Sequence, residues 1–255
     1  MTYTSLFDEY GRKAQVSPAL LVVLPLLLTS LAVLPGAALP KETVITLAFG
    51  LGVLYWMANI ARQAGKRAET TLFPGGLPGK EWLRHRDATL EAPTKHRYKR
   101  FLSERIPDIE FLSPEDESAD PERADEAYAS ALRWLVENTR DNARVRQELI
   151  AYGFRRNLYG LRWWGIGVAT ITAVAAAAIL LWRQGLSAPA EAPEALAAIA
   201  ISGCILPALW LGTVTPAWVR SAADSYARAL FGFCDLVPNA TGEPSEDSKA
   251  KPAAR

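Results

Sequence analysis

The residues most able to do chemistry lie in two short strings. His85 stands in Leu83-Arg84-His85-Arg86-Asp87, and His96 in Lys95-His96-Arg97-Tyr98-Lys99-Arg100, eleven positions later. Neighbouring cations oppose metal binding and work against an imidazole acting as a general base, so the pair makes a poor metal site. The arginines suit other chemistry, because a forked guanidinium matches the oxygens of a phosphate. Arg84, His85, Arg86, Lys95 and Arg97, with Arg155, Arg156 and Asn157 further along, are therefore candidate ligand or gating contacts for an anion such as a nucleotide. Plain solvent exposure is the alternative for each.

A second stretch, Pro74-Gly75-Gly76-Leu77-Pro78-Gly79-Lys80, superficially suggests phosphate binding. A phosphate-cradling loop needs Gly, four residues, then Gly-Lys-Ser/Thr. Here Pro74 occupies the first glycine position and Glu81 replaces the hydroxyl residue, so the segment reads as a turn. Cys204 and Cys234 fall at different levels of the chain and predict no disulfide. No Ser-His-Asp set, paired-carboxylate site or dinucleotide fingerprint can be placed. The expectation is a protein that is not an enzyme and holds no cofactor.

The elements that would position these residues are dominated by apolar blocks. Of 255 residues 50% are hydrophobic, and the charge is balanced, 28 Lys+Arg against 27 Asp+Glu. Residues 14–40, 43–61, 163–182 and 195–219 carry no charge. A membrane-spanning helix needs about 20 such residues, so four spans are expected. The first block has the basic start of a signal peptide, but it is long for one and another span follows at once; retention as a span is the reading. Lys and Arg cluster on one side, from Arg12 and Lys13 through Arg62, Lys66, Arg67, Arg155, Arg156 and Arg162 to Arg220, against only Lys41 and Arg183 on the other. By the positive-inside rule both termini and the long central connection are cytoplasmic.

No ionisable residue lies inside a span, which argues against a proton-coupled exporter. Pro18, Pro25, Pro207 and Pro216 fall within the spans and can kink them, although membrane helices often tolerate proline. The run Ala173-Val174-Ala175-Ala176-Ala177-Ala178, after Gly165 and Gly167, offers a surface for close helix packing within or between subunits.

The expected fold class is an all-α integral membrane protein with a helical cytoplasmic domain inserted between the second and third spans. The domains are an N-terminal hairpin, 1–61; the cytoplasmic domain, 62–162; a C-terminal hairpin, 163–219; an amphipathic helix, 220–238; and a disordered tail, 239–255. Charge in the inserted domain is segregated. Residues 62–112 hold 11 Lys+Arg against 7 Asp+Glu, residues 113–141 hold 3 against 9, and residues 142–162 hold 5 against 1. The basic ends suit anionic lipid, while the acidic stretch is solvated or pairs with them. Asp120-Pro121 is a helix start, and Ala124, Tyr128, Ala131, Leu132 and Leu135 follow at helical spacing. Another helix from Asn142 either runs unbroken into the third span or is kinked at Gly153 and Gly160.

The strings Leu83-Arg84-His85-Arg86-Asp87, Thr94-Lys95-His96-Arg97-Tyr98, Glu137-Asn138-Thr139-Arg140-Asp141 and Tyr152-Gly153-Phe154-Arg155-Arg156-Asn157 resemble an uncharacterised family of bacterial four-helix inner-membrane proteins. The likeness covers the chain except its tail. More distantly, two helical pairs around a cytoplasmic domain are similar to membrane effectors of bacterial anti-phage systems, some of which sense a nucleotide or a partner and then permeabilise the membrane. The resemblance implies an inner-membrane location and brings no catalytic residues with it.

Three functions are expected in descending order: a homo-oligomeric channel or pore-forming effector gated by its cytoplasmic domain, a membrane-anchored scaffold recruiting a cytosolic protein, and a small exporter. The lipid bilayer and further copies of the chain are the expected partners, and no nucleic-acid polymer is.

Overall fold

A computed structural model describes residues 8–33, 40–76, 78–185 and 193–236, and every regular element among them is helical. The order is a π-helical turn, Gly11–Val16, then α1 (Ser17–Val33), α2 (Pro40–Leu72), a 3-10 turn (Lys80–Leu83), α3 (Ala92–Ser103), α4 (Pro114–Ala119), α5 (Pro121–Asn138), α6 (Ala143–Gly160), α7 (Arg162–Gly185), α8 (Pro193–Thr213) and α9 (Pro216–Leu236). The segment read as a disordered tail, 239–255, and the side chains of Lys41, Arg183 and Cys204 lie outside the described residues.

The chain divides into two compact units. One takes the residues up to Gly76 together with Arg146–Tyr226; the other takes Leu77–Val145 and the chain from Ala227. Between the apolar segments the second unit takes only Leu77–Val145 of the 62–162 segment that charge alone delimits, because the ends of α2 and α6 count with the apolar unit. Two of the three crossings between units fall inside helices, α6 and α9.

In the apolar unit, two helical segments are long and apolar enough to cross a membrane, Gly11–Thr29 and Arg162–Ile179. A third arises if Ile201–Thr213 and Pro216–Leu236, bent by 50° at their junction, count as one span. The four expected spans are therefore matched by two or three among the described residues. The block at 43–61 is helical within α2, although the side chains of 41–49 lie outside the described residues. Leu20, Leu21, Leu24, Leu26, Leu27 and Leu28 are exposed on α1, and Ile171, Val174, Leu181 and Trp182 on α7. So dense an exposed apolar surface needs apolar surroundings.

The core of this unit is built from small residues. Ala19, Val22 and Val23 of α1 pack with Met57, Ala58 and Ala61 of α2 and with Leu158, Leu161, Trp210 and Val214. α8 approaches α7 so closely at Gly203 that a Cβ there would stand 1.9 Å from that of Ala173. Between α6 and α7 only Leu161 departs from helix, and the ladder continues across it, Leu161 N–H to Asn157 C=O at 3.1 Å and Gly165 N–H to Leu161 C=O at 2.9 Å. Gly153 lies inside α6 without breaking it, and Gly160 is its last residue.

The other unit owes its folding to caps and one amphipathic face. Ser113 and Asp120 each precede a proline at the first helical position and accept a hydrogen bond from the backbone of Asp116 and Arg123, at 3.1 Å in both cases. Such caps stabilise a helix by roughly 1 kcal/mol each. α5 then buries Ala124, Tyr128, Ala131, Leu132 and Leu135. Leu83, Phe101, Leu102, Leu230 and Phe231 complete the interior, with Phe231 stacked on both Trp82 and Tyr98.

Candidate functional site

The eight candidate residues separate between the two units, three in one and five in the other. In the apolar unit they join a buried polar clamp. Proline has no N–H, so Pro18 leaves the Ala14 carbonyl without the donor that an α-helix would supply. Asn157 supplies a donor instead: its Nδ2 donates to the Ala14 carbonyl at 2.6 Å, and the residue is completely buried. Gly65 of α2 lies against the other face of the amide, where a Cβ would stand 1.9 Å from Asn157 Oδ1. Asn157 therefore ties α6 to the π-helical turn that leads into the first apolar helix, at a carbonyl to which Pro18 cannot donate.

One residue earlier, Arg156 donates to Glu69 at 2.9 Å, and the other Glu69 oxygen accepts the Tyr152 hydroxyl at 2.7 Å. Burial, together with the charge and hydrogen bond of Glu69, pushes the Tyr152 phenol well above its usual range. Burial works against the Arg156 charge, but Glu69 outweighs it and holds the guanidinium more firmly protonated. The pair is a cation and an anion removed together from water, which is strongly destabilising to break on one side.

Arg155 faces a different neighbour. Its Nη1 donates to the Trp218 carbonyl at 3.1 Å and its guanidinium lies 5.0 Å from the Trp218 ring centre. Arg162 likewise donates to the Val214 carbonyl at 3.4 Å. Arg162 thus holds a carbonyl at the bend just past the end of α8, and Arg155 one in the first turn of α9, where Thr215 caps the new helix by accepting from Trp218 N–H at 3.3 Å. Cations suit the carbonyl-rich end of a helix.

In the second unit two acids of the acidic stretch, Glu117 and Asp125, are drawn into the fold, while its other seven stay exposed. Glu117 is buried and accepts the Tyr128 hydroxyl at 2.5 Å and the His85 backbone N–H at 3.2 Å. Burial raises its carboxyl, but those hydrogen bonds and nearby charge prevail and leave it below the ordinary glutamate value. Arg84, also buried, pairs with Asp125 and with Glu81, the latter at 2.7 Å. Lys80 joins Asp125 at 3.0 Å. Lys95 buries its ammonium on two backbone carbonyls, those of Arg84 and Asp87, each at 2.6 Å. Arg97 is exposed and pairs with Asp235 at 2.8 Å. His85 and Arg86 are exposed on the rim of a cleft of about 660 Å³ that Glu117 and Pro121 also line.

Arg84, Lys95, Arg97, Arg155, Arg156 and Asn157 thus have protein partners for their polar groups, and His85 Nε2 lies 3.0 Å from the Leu112 carbonyl, leaving Arg86 as the candidate most open to a ligand. Lys99 was missed by sequence reasoning. It is buried, with its Nζ 3.0 Å from His85 Nε2 and 3.2 Å from the Tyr128 hydroxyl, and desolvation lowers it to about 8. Its signal was the four-residue step from Lys95, which places two cations on one face of α3. Among the described residues no group of three or more His, Cys, Asp or Glu could hold a metal ion.

Helices with apolar exposed faces, joined to a polar helical unit, define the general class: an all-helical protein with two or three segments able to span a membrane. No protein-family model, no curated protein and no solved structure matches the chain.

Proposed function

We propose that this chain is a multi-pass protein of the bacterial inner membrane, with four spans and both termini cytoplasmic. Copies of it assemble into a channel or pore that the polar unit gates. The observation that carries the reading is the joint between α8 and α9. An apolar helix ends at Thr213, bends by 50°, and resumes at Pro216 as an amphipathic helix whose residues from Ala227 onward count with the polar unit. Arg162 holds a carbonyl at that bend and Arg155 one in the first turn of α9. A change of state in the polar unit that moves α9 would be felt at this joint, which is the kind of bistable element a gate requires.

Assembly follows from helix number, since four helices in one subunit are too few to enclose an aqueous path. The resemblance described above would make such a pore an effector of anti-phage defence. The test is native mass spectrometry of protein released from nanodiscs, followed by ion flux in proteoliposomes. A closed ring of four or more subunits with flux supports the reading, and Arg155→Ala should then alter flux. A monomer or dimer without flux, purifying with a stoichiometric soluble protein, would transfer the assignment to a membrane-anchored scaffold.

A further inference from the structure

We propose that Lys99 is a nucleophilic amine and that the cleft beside it accepts small aldehydes or ketones, which Lys99 captures as an imine. The inference does not depend on the channel reading. It begins from one nitrogen with two neighbours. His85 Nε2 is 3.0 Å from the Leu112 carbonyl and 3.0 Å from Lys99 Nζ. Nε2 carries at most one proton, which serves one of these neighbours, so the contact itself suits an amine or an ammonium; it is the burial of Lys99 that disfavours the charged form.

The surroundings agree. The Lys99 nitrogen lies 5.7 Å from the Phe111 ring centre and 5.1 Å from that of Tyr128, and among the described residues no carboxylate is in ion-pair range of it. The charge of Glu117 favours the ammonium, but Glu117 is also engaged by Tyr128 and the His85 backbone, and burial outweighs it. Lys95, one turn away on α3, adds a like charge that opposes protonation, and Arg84 and Lys80 are committed to Asp125. Taking an ammonium out of water with no carboxylate in direct contact disfavours its charged form. Lys99 also lines an open cleft of about 550 Å³ with His85, Leu90, Glu91, Lys95 and His96, so an electrophile has a route to it.

The chemistry balances within the cluster. The nitrogen lone pair attacks the carbonyl carbon as the C=O π pair moves onto oxygen. One proton passes from nitrogen to that oxygen, giving a carbinolamine, and loss of water leaves the C=N bond. His85 Nε2 and the Tyr128 hydroxyl, at 3.0 and 3.2 Å, are the groups placed to relay the proton.

The test uses the full chain in detergent micelles, treated with trinitrobenzenesulfonate across a pH series and mapped by peptide mass spectrometry. A fall from 10.5 to about 8 raises the neutral fraction near neutral pH by about 300-fold. The lower basicity returns roughly tenfold of that in nucleophilicity. Lys99 should therefore label on the order of tenfold or more faster than the exposed Lys13 and Lys66, with its midpoint near pH 8. Glyoxylate with cyanoborohydride should leave its adduct on Lys99 first, and Lys99→Arg should lose that adduct. Labelling of Lys99 only after denaturation, or with the pH profile of Lys13 and Lys66, would overturn the proposal, and so would failure to trap glyoxylate on it. The wild-type pH profile decides the matter even if the variant does not fold.

Discussion

Asn157 offers the sharpest perturbation, because its work is defined by a residue on a different helix. In Asn157→Leu the side chain keeps nearly the same shape but loses the donor that reaches the Ala14 carbonyl at 2.6 Å. That carbonyl cannot turn to residue 18 for an N–H, since residue 18 is proline. Leaving a buried acceptor unsatisfied costs about 1–3 kcal/mol. Volume changes little, so packing adds less than this. With a chain of this size, about 2 kcal/mol corresponds to a fall of roughly 4–8 °C in Tm. The informative experiment is a double-mutant cycle with Pro18→Ala, which restores an N–H at position 18. Tryptophan-fluorescence melts in one detergent should show Asn157→Leu costing about 1 kcal/mol less in the Pro18→Ala background than in the wild type. Equal costs in both backgrounds, within about 0.5 kcal/mol, would refute the link between the proline and the amide.

Three further outcomes follow from the same reasoning. Glu69→Gln strips the buried Arg156 of its counterion while Tyr152 keeps a weaker acceptor, and should lower Tm by an amount corresponding to about 2 kcal/mol, measured by the same melts. Gly79→Ala adds a Cβ 2.7 Å from that of Ala227 at a residue with φ +91°, so it should destabilise the polar unit by at least about 1–2 kcal/mol, read as lost amide-exchange protection in α3 and α5. Glu117 is held below its ordinary value of 4.5, so its folded form is favoured above the unfolded-state value and loses that advantage as pH falls through the lower folded one. Acidification below about pH 4.5 should therefore destabilise the polar unit, and Glu117→Gln should flatten that part of the pH profile.

Local signals translated well into structure, and long-range pairings did not. Asp120-Pro121 announced α5, whose apolar spacing correctly named the buried face from Ala124 to Leu135. The charge-free blocks at 14–40 and 163–182 correspond to the segments Gly11–Thr29 and Arg162–Ile179. The second compact unit does not coincide with the segment 62–162, because charge density marks solvent access, whereas Arg146–Gly160 buries Tyr152, Asn157 and Leu158 among the apolar helices. Glu69 is the lone acid between Glu42 and Glu81, a signal that was available, but nothing local names Arg156, 87 positions away, as its partner. Equally, the net charge of residues 113–141 could not reveal that Glu117 would be spent inside the fold, 32 positions from the His85 backbone it accepts.

The π-helical turn at Gly11–Val16 has a rotational consequence. A π turn holds one residue more than an α turn, and each helical residue advances the chain by about 100° around the axis. The turn therefore sets the phase between Tyr10, which packs at Gly153, and the stripe of Ala19 and Val22 that faces the core. Deleting a single residue from the turn would let an ordinary helix form with better hydrogen bonds. It would also swing Tyr10 about a quarter-turn away from α6 while leaving the apolar stripe in place. The wide turn thus acts as a phase shifter, and the geometry it protects is angular rather than energetic.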